Sequence, residues 1–387
     1  LFGATFPGKL VQAPRLAGVG VVDAFVPDPI PRSVPLTTAM FSATTRAATA
    51  IALLEGRARG LPDPRVLIKS FVRREAQLSS YIENTYADFD EIAEVDGDPD
   101  ARSVRAEARE TLNAERAITH AIKAVFDEKR TIGSNLLCQL HSVLLQGVRG
   151  QEQAGRFRDR QVYIGNEREG IERARFVPPP ALFVRDLMDD LDRFIREPGD
   201  LPELVQLALI HYQFETIHPF DDGNGRLGRI LILLGLCQHR LLTTPVVNAS
   251  LHFERNRQQY YDALLRVSTH GDWSGWIAFF LEGLRVASTE SLDKLEELAS
   301  LRRQYHDTLR SARSSSLLLV LIDKLFVSPV VTIPAATRIL GVTYPAAKNS
   351  VQKLVEAGIL SPIPDSSPTR FIARGILRAL NPIPTRR

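Results

Sequence analysis

Between Pro64 and Leu284 the chain is broken at short intervals by residues that start and stop helices, which leaves little room for an extensive sheet. Asp63-Pro64 pairs an N-cap acid with a proline at the first helical position. Leu67, Phe71, Leu78 and Ile82 then fall on one helical face, predicting a helix to about Asn84. The same logic predicts helices over Val104–Phe126, Gly133–Leu145, Ala181–Arg196, Pro202–Thr216, Gly225–His239, Arg255–Val267 and Trp273–Leu284. The exception is Gln161-Val162-Tyr163-Ile164-Gly165, which reads as one arm of a β-hairpin. The body is therefore mostly α with one hairpin at its middle.

The flanks differ from that body. Residues 1–37 are rich in proline and glycine and read as an extended arm, followed by an alanine-rich helix from Thr38 to Arg57. Asp96–Asp100 reads as an acidic turn and residues 285–310 as a charged connecting helix. Residues 311–387 carry ten Lys/Arg against three Asp/Glu, whereas the whole chain has a net charge of +3, so a basic block sits on a mildly acidic body. Within it, helices over Ser316–Phe326, from Val331 to Gly341 and from Thr343 to Ala357 precede two short extended segments around Ile359-Leu360 and Arg370–Ile372. That order predicts a winged helix whose third helix offers Lys348, Asn349, Gln352 and Lys353 to DNA, or else a packing or homodimer module.

At 387 residues the chain is long enough for two or three domains and needs no staple. The divisions predicted are 1–60 (arm and helix), 61–129 (helical region), 130–285 (core), 286–310 (linker helix) and 311–387 (winged helix). Cys138 and Cys237 stand in unrelated contexts with no metal-ligand spacing, which points to reduced thiols and a cytoplasmic protein. No uncharged apolar run approaches the ~18 residues of a membrane span, so no membrane partner is expected.

The chemistry concentrates in His218-Pro219-Phe220-Asp221-Asp222-Gly223-Asn224-Gly225-Arg226-Leu227-Gly228-Arg229. One helix ends before this segment and another begins inside it. The glycines let backbone N–H groups converge on an anion, and the new helix adds its positive end. Arg226 and Arg229, three apart, project from one side of its first turn. The pattern suits a polyphosphate, with Asp222 placed to hold a magnesium ion beside it. His218 is the side chain suited to base catalysis near neutral pH. The formal GxGxxG match at Gly223–Gly228 follows a helix rather than a strand, so it does not read as a dinucleotide fingerprint.

This segment resembles the Fic family signature, H-P-F-x-[D/E]-G-N-G-R-x-x-R, at every specified position. The resemblance implies the Fic helical fold with a β-hairpin flap, and transfer of AMP from ATP to a Ser, Thr or Tyr hydroxyl of a target protein. By that resemblance His218 is the base and Phe220 anchors the loop. Asp222 binds Mg2+, while Gly223, Asn224 and Gly225 hold the α- and β-phosphates. Arg226 serves the phosphates and Arg229 the γ-phosphate, with Leu227 and Gly228 completing the nucleotide loop. Val162, Tyr163, Ile164 and Gly165 correspond to the flap that pairs with a target's backbone, and Tyr260 and Tyr261 to aromatics bordering adenine. Plain core packing is the competing reading for both tyrosines.

Ser79-Ser80-Tyr81-Ile82-Glu83-Asn84 resembles the family's inhibitory motif [S/T]-x-x-x-E-[G/N]. The resemblance implies that Glu83 pairs with Arg229 and blocks the γ-phosphate, with Ser79 and Asn84 framing it. A capping box from Ser80 to Glu83 is the alternative, disfavoured because the helix starts near Pro64. Three other functions stay open: a DNA-binding transcription regulator with a nucleotide-sensing body, the same fold using another donor, and removal rather than addition of AMP.

Overall fold

The computed structural model describes residues 2–3, 5–14, 20–35, 37–61, 64–88, 91–92, 105–166, 168–311, 316–364 and 369–380. The chain opens with β1 (Gly8–Gln12) and β2 (Asp23–Pro27), paired antiparallel with Gly8 opposite Pro27 and Gln12 opposite Asp23. The expected extended arm is thus a folded ribbon. Its strands are only five residues each and draw support from elsewhere: Phe25 N–H donates to the Val177 carbonyl, and Phe25 is buried.

Helix α1 (Thr38–Arg59) is capped by the Thr37 hydroxyl, which accepts from Met40 N–H. Helix α2 (Pro64–Ile82) buries Leu67, Phe71, Leu78 and Ile82 as the periodicity requires. Asp63 and the acidic turn at 96–100 lie outside the described residues. Helix α3 (Ala106–Phe126) and α4 (Ser134–Leu144) follow, then a loop region, α5 (Ala181–Arg196) and α6 (Glu203–Ile217). Helix α7 (Asn224–Gln238) packs on α6. A short α8 (Ser250–Arg255) precedes α9 (Arg257–His270), which takes up the helix predicted over Arg255–Val267.

Helix α10 runs unbroken from Trp273 to Ser311, so no helix end marks the expected boundary at residue 285. Its length is explained by α1, which packs along it. The C-terminal block comprises α11 (Ser316–Val327), β3 (Val330–Thr332), α12 (Ile333–Leu340), α13 (Tyr344–Glu356), β4 (Ser361–Ile363), β5 (Arg370–Ile372) and α14 (Arg374–Leu380). Its sheet has the order β3-β5-β4, all antiparallel. The turn within residues 365–368 lies outside the described residues. Among the described residues, no helix is long and apolar enough to cross a membrane.

Helix α2 lies at the centre of this arrangement, held by polar anchors as well as by apolar packing. Arg73 is 1% exposed and its Nε donates to Glu115 of α3 at 2.6 Å, while Nη1 reaches the Val327 carbonyl at 3.2 Å. The Ser70 hydroxyl donates to the Phe326 carbonyl. Two carbonyls at the end of α11 are thereby satisfied by α2. Glu75, also buried, accepts from the Ser250 N–H and hydroxyl at the start of α8.

Candidate active site

Helix α6 ends at His218, whose backbone is left-handed (φ 50°, ψ 60°), and Gly223 is left-handed again just before α7 (φ 77°). These two reversals fold residues 218–223 into a tight loop. Asn224 closes it: its Oδ1 accepts from Phe220 N–H at 2.9 Å and its Nδ2 donates to the Phe220 carbonyl at 2.8 Å. The Asn224 side chain is therefore spent on the loop itself, and what it leaves for an anion is backbone. Phe220 is buried, as its anchoring role requires.

Two residues hold this loop from outside: His141, which no motif marks, and Arg158, the end of the Gly155–Arg158 run that leads into the flap segment. His141 of α4 stacks on Phe220 with centroids 4.0 Å apart. Its Nδ1 accepts from Gly155 N–H at 2.8 Å, so its Nε2 carries the proton and donates to the Asp222 carbonyl at 3.0 Å. Arg158, 5% exposed, donates to the carbonyls of His218, Pro179, Ile217 and Arg160. Their partners are 14 to 81 residues away, apart from Arg160 beside Arg158, so no local pattern records these contacts.

His218 Nδ1 lies 3.2 Å from the Glu215 carbonyl, an acceptor, so the proton sits on Nδ1 and Nε2 is free. Burial drives its pKa down to about 4, which keeps the imidazole neutral at pH 7. That is the state a general base needs. His211, two helical turns further back, is buried and committed elsewhere, bonding the Gly228 carbonyl at 3.0 Å and the Tyr260 hydroxyl at 2.8 Å.

A cavity of about 320 Å³ is lined by His218, Gly225, Arg229, Glu83, Glu215 and Tyr260, and at a more apolar end by Ile164, Phe176, Leu264 and Leu265. Glu83 and Arg229 meet in it, at 2.6 Å between Oε1 and Nη2. Arg229 also donates from Nε to the Ser79 hydroxyl at 2.8 Å and from Nη2 to the Ser79 carbonyl at 3.0 Å. Ser80 instead donates to the Ala76 carbonyl one turn back, which excludes the capping box. A Cβ on Gly225 would stand 2.2 Å from Glu83 Oε1, so only glycine lets the carboxylate sit over the start of α7. Asn84 is left-handed (φ 60°) and accepts from Arg257 at 2.8 Å, turning the chain away after Glu83.

The other expected site residues divide. Ile164, Gly165, Tyr260 and Tyr261 line the cavity; Val162 and Tyr163 do not. The flap hairpin is reduced to one antiparallel bridge, Ile164 with Phe176, with a short 3-10 turn, Ile171–Arg173, between its ends. Leu227 is core, and Gly228 lies under Glu215, where a Cβ would come within 2.1 Å of Oε1. Neither lines the cavity. Tyr260 is 1% exposed and tied to His211, so core packing accounts for most of its ring, whereas the half-buried Tyr261 donates to the Ile82 carbonyl at 3.3 Å. Arg226 is buried and paired with Glu110 of α3 at 3.0 Å and with Asp222 at 3.5 Å, away from the cavity lining. Asp222 Oδ2 faces the exposed Arg149 at 3.4 Å.

Residues 131–236 match the model of the Fic/DOC family, and residues 41–123 match that family's N-terminal model. A probable protein adenylyltransferase of Aquifex aeolicus is 36% identical over 91 residues, 24% of this chain and 26% of that protein. The protein adenylyltransferase Fic of Nematostella vectensis is 28% identical over 175 residues, 45% of this chain and 37% of that one. The chain therefore matches well under half the length of these curated relatives. In structure, a Fic family protein from Desulfovibrio desulfuricans G20 superposes with a TM-score of 0.55 at 23% identity, covering 88% of this chain and 97% of that one. Fic-1 of Caenorhabditis elegans, residues 134–508, gives 0.51 at 18% identity over 67% of this chain and 74% of that one. These likenesses are of fold. The two models are matched in order along the chain, the Fic/DOC family's N-terminal region ahead of its Fic region, and the signature loop forms within the second of them.

Proposed function

We propose that the protein transfers AMP from ATP to a hydroxyl of a target protein and is held in check by Glu83. One observation carries the reading: the Glu83 carboxylate sits 2.6 Å from Arg229 inside a cavity that His218 and Gly225 also line. A carboxylate on that guanidinium occupies the place a terminal phosphate would take. The names of the curated relatives support the same activity.

In the reaction His218 Nε2 takes the proton of the incoming hydroxyl, whose oxygen bonds to the α-phosphorus as pyrophosphate leaves. The Glu215 carbonyl keeps the imidazole in the required tautomer. Arg229, freed from Glu83, binds the terminal phosphate, and the N–H groups at the start of α7 face the phosphate chain. Asp222 keeps a carboxylate at the loop's rim, where it accepts from Gly223 N–H and pairs with Arg149 and Arg226, and it is the residue that would hold a magnesium ion beside the phosphates. Magnesium would neutralise charge on the leaving pyrophosphate. The edge at Ile164 and Phe176 is where a target segment would add as a strand.

The test is incubation of the full chain with labelled ATP and magnesium. Glu83→Gly is expected to raise label transfer into protein at least tenfold, and His218→Ala in that background to abolish it. Label transfer by Glu83→Gly no faster than by the parent would remove the brake from the account.

A second reading attaches to residues 316–380. Their order of helix, strand, two helices and two strands, with β5 between β3 and β4, supports a winged helix. Lys348, Asn349, Gln352 and Lys353 are exposed on α13 while Ala347, Val351 and Leu354 are buried. Duplex DNA is the partner this face suits. Retention of duplex that weakens steeply with salt would support it; equal migration with and without duplex at low salt would remove it.

A further inference from the structure

The cavity contains a second carboxyl that the reaction above leaves unused. Glu215, on the last turn of α6, lines the cavity together with Arg229, Gly225, His218 and Tyr260. Its side chain is only 12% exposed, and its enclosed Oε1 has no hydrogen-bond partner. The nearest basic nitrogen, His211 Nε2 at 4.0 Å, is already occupied by the Tyr260 hydroxyl at 2.8 Å. Nor can the carboxyl sink further away, because Oε1 is seated against the backbone of Gly228. A carboxyl whose enclosed Oε1 finds no donor is costly to ionise, and its other oxygen is the one a ligand in the cavity can reach.

We propose that Glu215 is a neutral carboxylic acid that donates a hydrogen bond to an oxygen of the bound nucleotide's sugar–phosphate part. The proposal rests on the nucleotide reading above. The cavity's chemistry requires the protonated form: an ionised carboxyl there would face phosphate with like charge, whereas a protonated one is a donor. Burial first, and the charge of Glu83 with it, push the pKa of Glu215 up to about 8 against the opposing pull of Arg229. A triphosphate that displaces Glu83 replaces one negative charge with another, so the proton is retained. The groups facing it are His211 and His218 of α6, Arg229 of α7, Tyr260 and Tyr261 of α9, and Glu83. The imidazoles are shifted down and the phenols up, so neither kind titrates near pH 8.

The experiment measures affinity for a non-hydrolysable ATP analogue by calorimetry in the full-length Glu83→Gly protein, between about pH 6.5 and 9. Affinity is expected to fall with rising pH across this range, beginning below about 8 because the charge of Glu83, one cause that raises the Glu215 pKa, is gone from this variant. Adding Glu215→Gln should leave neutral-pH affinity within about threefold and flatten that fall, whereas Glu215→Ala should weaken binding about three- to tenfold. A 2′,3′-dideoxy analogue separates the acceptors: if the alanine effect vanishes with it, the acceptor is a ribose hydroxyl, and if the effect persists, it is a phosphate oxygen. The proposal is overturned if Glu215→Ala binds as tightly as its parent, or if folded Glu215→Gln binds as weakly as the alanine variant. The pH profile of the glutamine variant decides the matter should the alanine variant fail to fold. Glu83→Gly protein that binds no nucleotide overturns the AMP-transfer reading as well; binding that is indifferent to residue 215 overturns this inference alone.

Discussion

Arg158 spends its guanidinium on four backbone carbonyls around the signature loop, among them that of His218. Burial lowers its pKa to about 10, still well above neutrality, so it remains charged. Arg158→Met would strand those carbonyls. Urea denaturation should show a loss of about 1–3 kcal/mol, with AMP transfer reduced more than nucleotide affinity; an unchanged midpoint would show that water replaces the guanidinium at no cost. The imidazole at 218 carries a pH prediction. With its pKa near 4, it is neutral through the mildly acidic range and becomes protonated only as pH falls toward 4. Label transfer by Glu83→Gly protein should therefore stay level between about pH 5.5 and 7.5, where an ordinary histidine would lose half its base form at about 6.5. A half-loss near 6.5 would mean that substrate access rehydrates the imidazole. At this scale the sequence was legible where residues are neighbours. The sequence displays His218, the glycines and Arg229 in one run, but His141, Arg158, Glu110 and Glu215 reach the site only through long-range folding.

At the scale of elements, α2 links three parts of the molecule. It presents Ser79 and Glu83 to Arg229, Arg73 to Glu115 of α3, and Ser70 and Arg73 to the end of α11. Removing one partner of a buried ion pair typically costs about 3–5 kcal/mol. Arg73→Met should approach the lower part of that range, since Glu115 retains some contact with water at 15% exposure. Because Glu83 directly follows the helix that carries Arg73, the same variant should also bind ATP analogue more tightly than the parent. Chemical denaturation and calorimetry on one preparation measure both effects, and lost stability with unchanged affinity would show that the brake acts only through the last turn of α2. The extent of α2 was legible from its apolar spacing. Its polar anchors were not, since Ser70, Arg73 and Glu75 read locally as ordinary helical surface.

At the scale of the whole molecule, the N-terminal ribbon reaches the site from the far end of the sequence. Phe2, Phe6, Phe25 and Phe176 form a chain of ring contacts with centroids 5.1 to 6.2 Å apart, and Phe176 lines the cavity. Gly3 N–H donates to the Thr269 carbonyl of α9 at 2.7 Å. Phe25→Ala should cost about 3 kcal/mol or more and increase hydrogen exchange at Ile164 and Phe176, the two ends of the flap's bridge. Lost stability without faster exchange there would separate the ribbon from the flap. In the sequence this ribbon looks like an arm because residues 1–37 are rich in proline and glycine and two five-residue strands have little stability of their own. The unbroken α10 was missed for the converse reason: a charged stretch looks like a linker until α1 is seen lying along it.

Local chemistry, then, was decided by the order of residues alone: where helices begin, which loop bends, which side chains of that loop can handle phosphate and protons. A helix cap, an apolar period and a glycine reversal are interactions within a few residues, and a linear string records them. Which carboxylate actually faces which guanidinium was settled by the packed chain. Glu83 is assigned to Arg229 by resemblance and is found there, but Glu110 on Arg226 and the burial that leaves Glu215 Oε1 without a hydrogen bond arise from helices brought together across long stretches of sequence. Burial, which determines the protonation of His218 and Glu215, exists only once those helices close around them.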